Sequence, residues 1–100
     1  MAAQGYERSL SVRVLRNNRM MGDAAGRDAA KLFRRFTSQK ALDIMAVFAA
    51  APSQDTFLSR LQREKGISWE RVKAFHLDEY LDLPADHPNA FKTYLHAHIF

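Results

Sequence analysis

One hundred residues, 47% of them hydrophobic, allow one domain with one core. The absence of cysteine excludes disulfides and thiol chemistry. The net charge of +4 is uneven: residues 1–40 carry nine Lys/Arg against three Asp/Glu, and residues 41–100 carry six against eight. This reads as a solvated basic face rather than a nucleic-acid site, which would interleave aromatics with its basic residues; "SVRVLRNNR" does not.

The N-terminus, "MAAQGYERSL", lacks the basic start, apolar core and small-residue cleavage site of a secretory signal. No apolar run approaches the roughly 20 residues that cross a bilayer. The expected location is cytoplasmic, with neither membrane nor nucleic acid as partner. Leu10, Val12 and Val14 alternate with Ser11 and Arg13, which predicts a first strand closed by the turn-rich "RNNRMMGD". Ala25, Ala29, Leu32, Phe33 and Phe36 then recur at spacings of three and four. They predict a helix of about 15 residues with Lys31, Arg34 and Arg35 facing water.

The near-continuous apolar run over 41–51, with Ile44, Met45, Val47 and Phe48, predicts a strand buried on both faces, as parallel strands are. A buried helix is the competing reading. Pro52 and Ser53 stop the run. Ser53 is the expected N-cap of a helix that puts Phe57, Leu58 and Leu61 on one side and ends near Gly66. A third strand is expected from Val72 to Leu77, and "DEYLDLPADHP" follows as a loop. Pro88 is expected to open a last helix with Phe91, Tyr94, Leu95, His98 and Ile99 on its apolar side and His96 off it. The alternation predicts an α/β fold, three-layer α/β/α with a parallel sheet, of which about three β-α units are present.

In open parallel sheets ligands bind outside the carboxyl ends of the strands, which singles out two loops. "FAAAPSQ", residues 48–54, runs from strand to helix, where free N–H groups suit a phosphate. It has no glycine and reads equally as a plain capped turn. "HLDEY" places Asp78 and Glu79 at the end of the third strand. A carboxylate there can act as a general base, or both can cap the following turn or pair with Lys/Arg. His76, His87, His96 and His98 include no pair at the i, i+4 spacing of helical metal sites, so no metal is expected. Trp69 is expected to pack.

"VKAFHLDEYLDLPADHPNAFKTYL" resembles the glucosamine-6-phosphate deaminase family, which runs an apolar strand into Asp-Glu-Tyr, a Gly-Leu-Pro-like turn, His-Pro and an aromatic helix. The resemblance extends back through "FAAAPSQDTFLSRL" and covers roughly residues 10–100, read as the N-terminal portion of a single domain. Related 6-phosphogluconolactonases typically carry Asp-Glu-Arg at this place, so Tyr80 points to the deaminase branch.

The resemblance implies that Asp78 is the base that moves a proton between C1 and C2 of the opened amino sugar, without metal or cofactor. It implies that Ala50, Ala51, Pro52 and Ser53 line the sugar-phosphate site and that Glu79 and Tyr80 support the loop. There are departures. Ala49, Ala50, Ala51, Pro52 and Ser53 replace the usual Thr-Gly-Xaa-Thr-Pro pattern, Asp82 stands where the family has glycine, and Ala90 replaces a common serine. The family's ring-opening histidine, its carboxylate partners and its later basic residues have no counterpart here. The 100 residues alone are therefore expected to be inactive, and a full-length protein to form a homo-oligomer. A lactonase-like hydrolase and a non-catalytic sugar-phosphate-binding fragment are the alternatives.

Overall fold

The structure is a computed structural model and describes residues 9–39, 43–84 and 86–100. Its elements in chain order are helix α1 (Asn18–Thr37), strand β1 (Ile44–Phe48), helix α2 (Asp55–Arg63), strand β2 (Val72–His76) and helix α3 (Phe91–His98). Short 3-10 turns, Pro52–Gln54 and Trp69–Arg71, precede α2 and β2. No helix among the described residues is long and apolar enough to cross a membrane.

β1 and β2 pair in parallel, Ile44 with Val72 through Phe48 with His76, so the α/β architecture with a parallel sheet is present. The first predicted strand is not. Residues 9–15 form no element, and Leu10, Val12 and Val14 are exposed. Period-two patterning selects which face a strand would bury, but a strand also needs a neighbour to take its N–H and C=O groups, and among the described residues β1 and β2 bond only to each other.

α1 begins inside the stretch read as a turn. Asn17 caps it, its side-chain oxygen accepting from the Met20 N–H at 2.9 Å. Its buried side is not the predicted stripe. Gly22, Gly26, Ala30 and Thr37 are buried, whereas Leu32 and Phe36 are exposed. The row of small residues lets α1 lie against α2 so closely that a Cβ at Gly22 would stand 2.0 Å from Thr56 Oγ1, and one at Gly26 would stand 2.6 Å from Arg60 Cβ. Lys31 and Arg35 do face water. Arg34 instead folds down to Glu64, at 3.1 Å, and donates to the Lys65 carbonyl at 2.9 Å.

β1 forms as a strand, and the described residues cover one of its faces only. Phe48 is buried and Ala46 packs against the core, while Met45 and Val47 are exposed. The uncovered face continues across the sheet, because Phe75, the register partner of Val47, is half exposed. Residues 41 and 42 of that apolar run lie outside the described residues. The core is small: Ala30, Phe48, Leu58, Leu61 and Leu95, edged by Phe33, Trp69, Tyr94 and Ile99. Trp69 packs on Phe33 at 5.2 Å between ring centroids.

Two caps differ from expectation. α2 starts behind a 3-10 turn with Gln54 in the cap position and no side-chain cap, so Ser53 does not cap it. The 3-10 turn that Pro52 opens takes in Ser53, which therefore stands one residue before the cap position of α2. α3 starts at Phe91 rather than at Pro88, which stands in the preceding turn. Gly66 takes φ +83° three residues beyond α2, a left-handed turn that suits glycine.

Candidate active site

The two loops singled out in the sequence leave the same edge of the sheet. Parallel pairing puts the carboxyl ends of β1 and β2 side by side. Past the last register pair, the Leu77 N–H still donates to the Phe48 carbonyl at 2.8 Å. Ala49–Ser53 departs from one strand end and Asp78–Tyr80 from its neighbour, so the two loops start side by side at the carboxyl end of the sheet, where open parallel sheets bind ligands.

Asp78 is exposed and makes no hydrogen bond or ion pair with the described residues. Its neighbour does the reverse. Glu79 Oε1 accepts from the Phe91 N–H at 2.8 Å and from the Tyr80 N–H at 3.1 Å. Its Oε2 accepts from the Lys92 N–H at 2.9 Å, with His76 Nε2 at 3.3 Å. The Lys92 and Phe91 amides hold its carboxyl below the usual range, against partial desolvation. Ala90, in the cap position of α3, has no side-chain oxygen to offer the free N–H groups, so Glu79 caps the helix from twelve residues upstream of Phe91. The Tyr80 ring lies on Phe91, 4.8 Å between centroids. Asp82 takes φ 62°, a left-handed conformation at the position where the resembled family carries glycine.

The other loop is mostly backbone. Ala50 and Ala51 are half-buried, and Pro52 and Ser53 are exposed. The Ala51 carbonyl accepts from the Gln54 N–H at 2.8 Å and from Tyr94 Oη at 2.6 Å. Tyr94 Oη also bonds Asp55 Oδ1 in the first turn of α2. His98 stacks on Tyr94 with 4.0 Å between ring centroids. Its Nδ1 is 2.7 Å from the Tyr94 carbonyl oxygen, which only accepts, so Nδ1 carries the proton; Nε2 faces Asp55 at 3.6 Å. Burial first, and the bond to Asp55 second, push the Tyr94 phenol well above its ordinary range and keep it protonated. Sequence periodicity placed Tyr94 and His98 on the apolar side of the last helix and missed their polar atoms. The i, i+4 spacing of the two was visible, but Asp55, 39 residues upstream of Tyr94, was not connected to them by any local pattern.

Among the described residues no three metal-binding side chains gather closely enough to hold an ion. A cleft of about 200 Å³ lies behind the Asp78 loop, between His76, Glu79, Tyr80, Pro84 and Lys92.

Comparison with known proteins starts from this architecture. The fold is shared with a putative 6-phosphogluconolactonase from Neisseria gonorrhoeae, with a TM-score of 0.72 over 85% of this chain and 36% of that one, at 18% identity. In sequence the chain is 31% identical over 77 residues to the glucosamine-6-phosphate deaminase of Bacillus pumilus, covering 75% of this chain and 32% of that enzyme. It is 40% identical over 43 residues to glucosamine-6-phosphate deaminase 2 of Giardia intestinalis, covering 43% of this chain and 16% of the other. No family model matches. The chain is thus an α/β protein of the fold that includes 6-phosphogluconolactonases. Its sequence is similar to glucosamine-6-phosphate deaminases over their N-terminal portion. It spans about a third or less of the length of these relatives.

Proposed function

We propose that these residues carry the base and one wall of the sugar-phosphate site of an amino-sugar phosphate deaminase/isomerase. The substrate is glucosamine 6-phosphate or a related sugar phosphate, and water addition yields fructose 6-phosphate and ammonia. Asp78 takes the proton from C2 of the ring-opened amino sugar and returns it to C1. The enolic amine collapses to an imine that water hydrolyses, releasing ammonia. The substrate's own unsaturated carbon is the electron sink, so the step calls for a positioned base and no cofactor.

One observation carries this reading: of the two adjacent carboxylates at the end of β2, Glu79 is fully engaged with backbone, while Asp78 stands exposed and unpaired at the crevice edge. An unpaired carboxylate beside a committed one fits a group kept for a ligand. Ala50, Ala51 and Ser53 approach the phosphate through backbone N–H groups and the Ser53 hydroxyl, and Pro52, which has no N–H, lines the wall.

The test is hydrogen exchange at the sugar C2 in deuterated solvent, run on the natural polypeptide that carries these residues, alongside ammonia release. Asp78→Asn is expected to lower exchange by at least about a hundredfold, the worth of a general base, with substrate affinity within about threefold. Retained exchange in that variant refutes the assignment. Hydrolysis of 6-phosphogluconolactone without C2 exchange replaces this reading with a lactonase.

A further inference from the structure

Both loops of the proposed site are tied to α3. Glu79, from the base loop, supplies the missing cap at its first turn through Phe91 and Lys92. Tyr94, four residues into the helix, reaches across to the Ala51 carbonyl and to Asp55. His98, one turn further, faces Asp55 as well. Between these two attachments Leu95 is buried with no exposed surface and fixes the helix to the core.

The helix has eight residues. An isolated helix that short does not hold itself together, because the cost of its first turn is recovered only over many more bonds. Its order depends on what grips its ends. Loss of the Glu79 cap frays the first turn, and Tyr94 sits directly after that turn, so its hydroxyl leaves the Ala51 carbonyl. Loss of the Tyr94 hydroxyl in turn removes the contact that steadies the first turn from the far side, and the Phe91 and Lys92 amides open.

We propose that α3 couples the two loops: Glu79 and Tyr94 are positioning residues that hold the Asp78 loop and the Ala49–Ser53 loop at one fixed separation, and loosening either loop loosens the other. The functional meaning rests on the reading of Asp78 as base and of Ala50–Ser53 as the sugar-phosphate wall. The coupling itself is a property of the fold. As a free energy between two local equilibria it must be reciprocal, with the same factor in both directions.

Amide hydrogen exchange by NMR reads this without any ligand. In Tyr94→Phe, the Phe91, Lys92 and Tyr80 amides are expected to exchange roughly three- to tenfold faster, the worth of one net hydrogen bond. In Glu79→Ala, the Gln54 amide, which donates to the Ala51 carbonyl, is expected to speed up by the same factor. If Glu79→Ala does not fold, Glu79→Gln keeps one acceptor oxygen and is read at the same amide, with a smaller change of the same sign expected. Changes confined to each variant's own loop overturn the coupling, as does an effect in one direction only. The second readout is kinetic. Where the natural polypeptide exchanges hydrogen at C2, Tyr94→Phe is expected to raise KM and lower the exchange rate together, although the Tyr94 hydroxyl bonds the Ala51 carbonyl and Asp55 and not the Asp78 loop; a change in KM alone overturns the coupling. A wild-type polypeptide without C2 exchange removes the proposed reaction and leaves the amide test to decide the coupling.

Discussion

Gly22→Ala gives the sharpest test of the packing between α1 and α2. The added Cβ would lie 2.0 Å from Thr56 Oγ1, 2.3 Å from Thr56 Cβ and 2.7 Å from the Thr56 carbonyl carbon. The hydroxyl can rotate away; the Cβ and the backbone carbon cannot. Carbon atoms settle about 3.5–4.0 Å apart, so α2 has to retreat from α1 by roughly 1 Å. That opens the contact beyond it, where Gly26 meets Arg60 and Ala30 lies in the core with Leu58 and Leu61. Overpacking of this kind costs about 1–3 kcal/mol, and contact with backbone puts Gly22 at the upper end. Replacing a helical glycine by alanine returns about 1 kcal/mol of intrinsic propensity. The net expectation is a loss of about 2 kcal/mol. For a domain of this size that is a fall in Tm of roughly 8–16 °C. In urea, with a slope near 1.5 kcal/mol/M, the midpoint should drop by about 1.3 M. Ala25→Gly is the control: Ala25 is exposed on the same helix, and its replacement should cost only the propensity term of about 1 kcal/mol. If Gly22→Ala raises Tm, propensity alone governs the site and the close approach of the two helices is refuted.

Three further outcomes are expected. Leu95→Ala removes a fully buried side chain of the small core and should destabilise by about 2–5 kcal/mol in urea titration. Asp82 already tolerates a left-handed backbone, so Asp82→Gly should change stability by less than about 0.5 kcal/mol, whereas the β-branched Asp82→Val should cost about 1–2 kcal/mol. Because Glu79 is held below its ordinary value of 4.5 in the fold, its contribution is complete above that pH and is lost as pH falls through the lowered value. Thermal melts of Glu79→Gln and the parent should therefore start to converge as pH falls below 4.5 and meet once it has passed the lowered value, and a gap that persists through the acid range would refute the capping role.

The sequence was legible where local rules and burial agree. β2 ends at His76, one residue short of the expected Leu77, because its run is bounded by the loop residues that follow it. α2 buries Leu58 and Leu61 as their spacing required. The misreadings have tertiary causes. In α1 the apolar stripe is genuine but stays largely outside, since the glycines, invisible to a hydrophobicity count, allow the closer contact. Leu32 and Phe36 are left to line a surface cleft of about 480 Å³ with Ile44 and Met45. Residues 9–15 have a strand pattern without a strand partner. At the candidate site, Asp78 and the loop over 50–53 were found through strand-end logic and family resemblance. The ties to Phe91, Tyr94 and Asp55 span 12 to 43 residues and leave no periodic trace.

The bare side of the sheet has a consequence for handling the protein. Met45, Val47 and Phe75 present adjoining apolar surface, with the exposed Leu77 beyond the strand end. Water-facing surface of that kind is an adhesive, and what it meets in a concentrated solution is another molecule like itself. Melting temperature should accordingly climb with protein concentration, as it does whenever association draws on the folded form alone. A charged residue at Val47 should flatten that dependence.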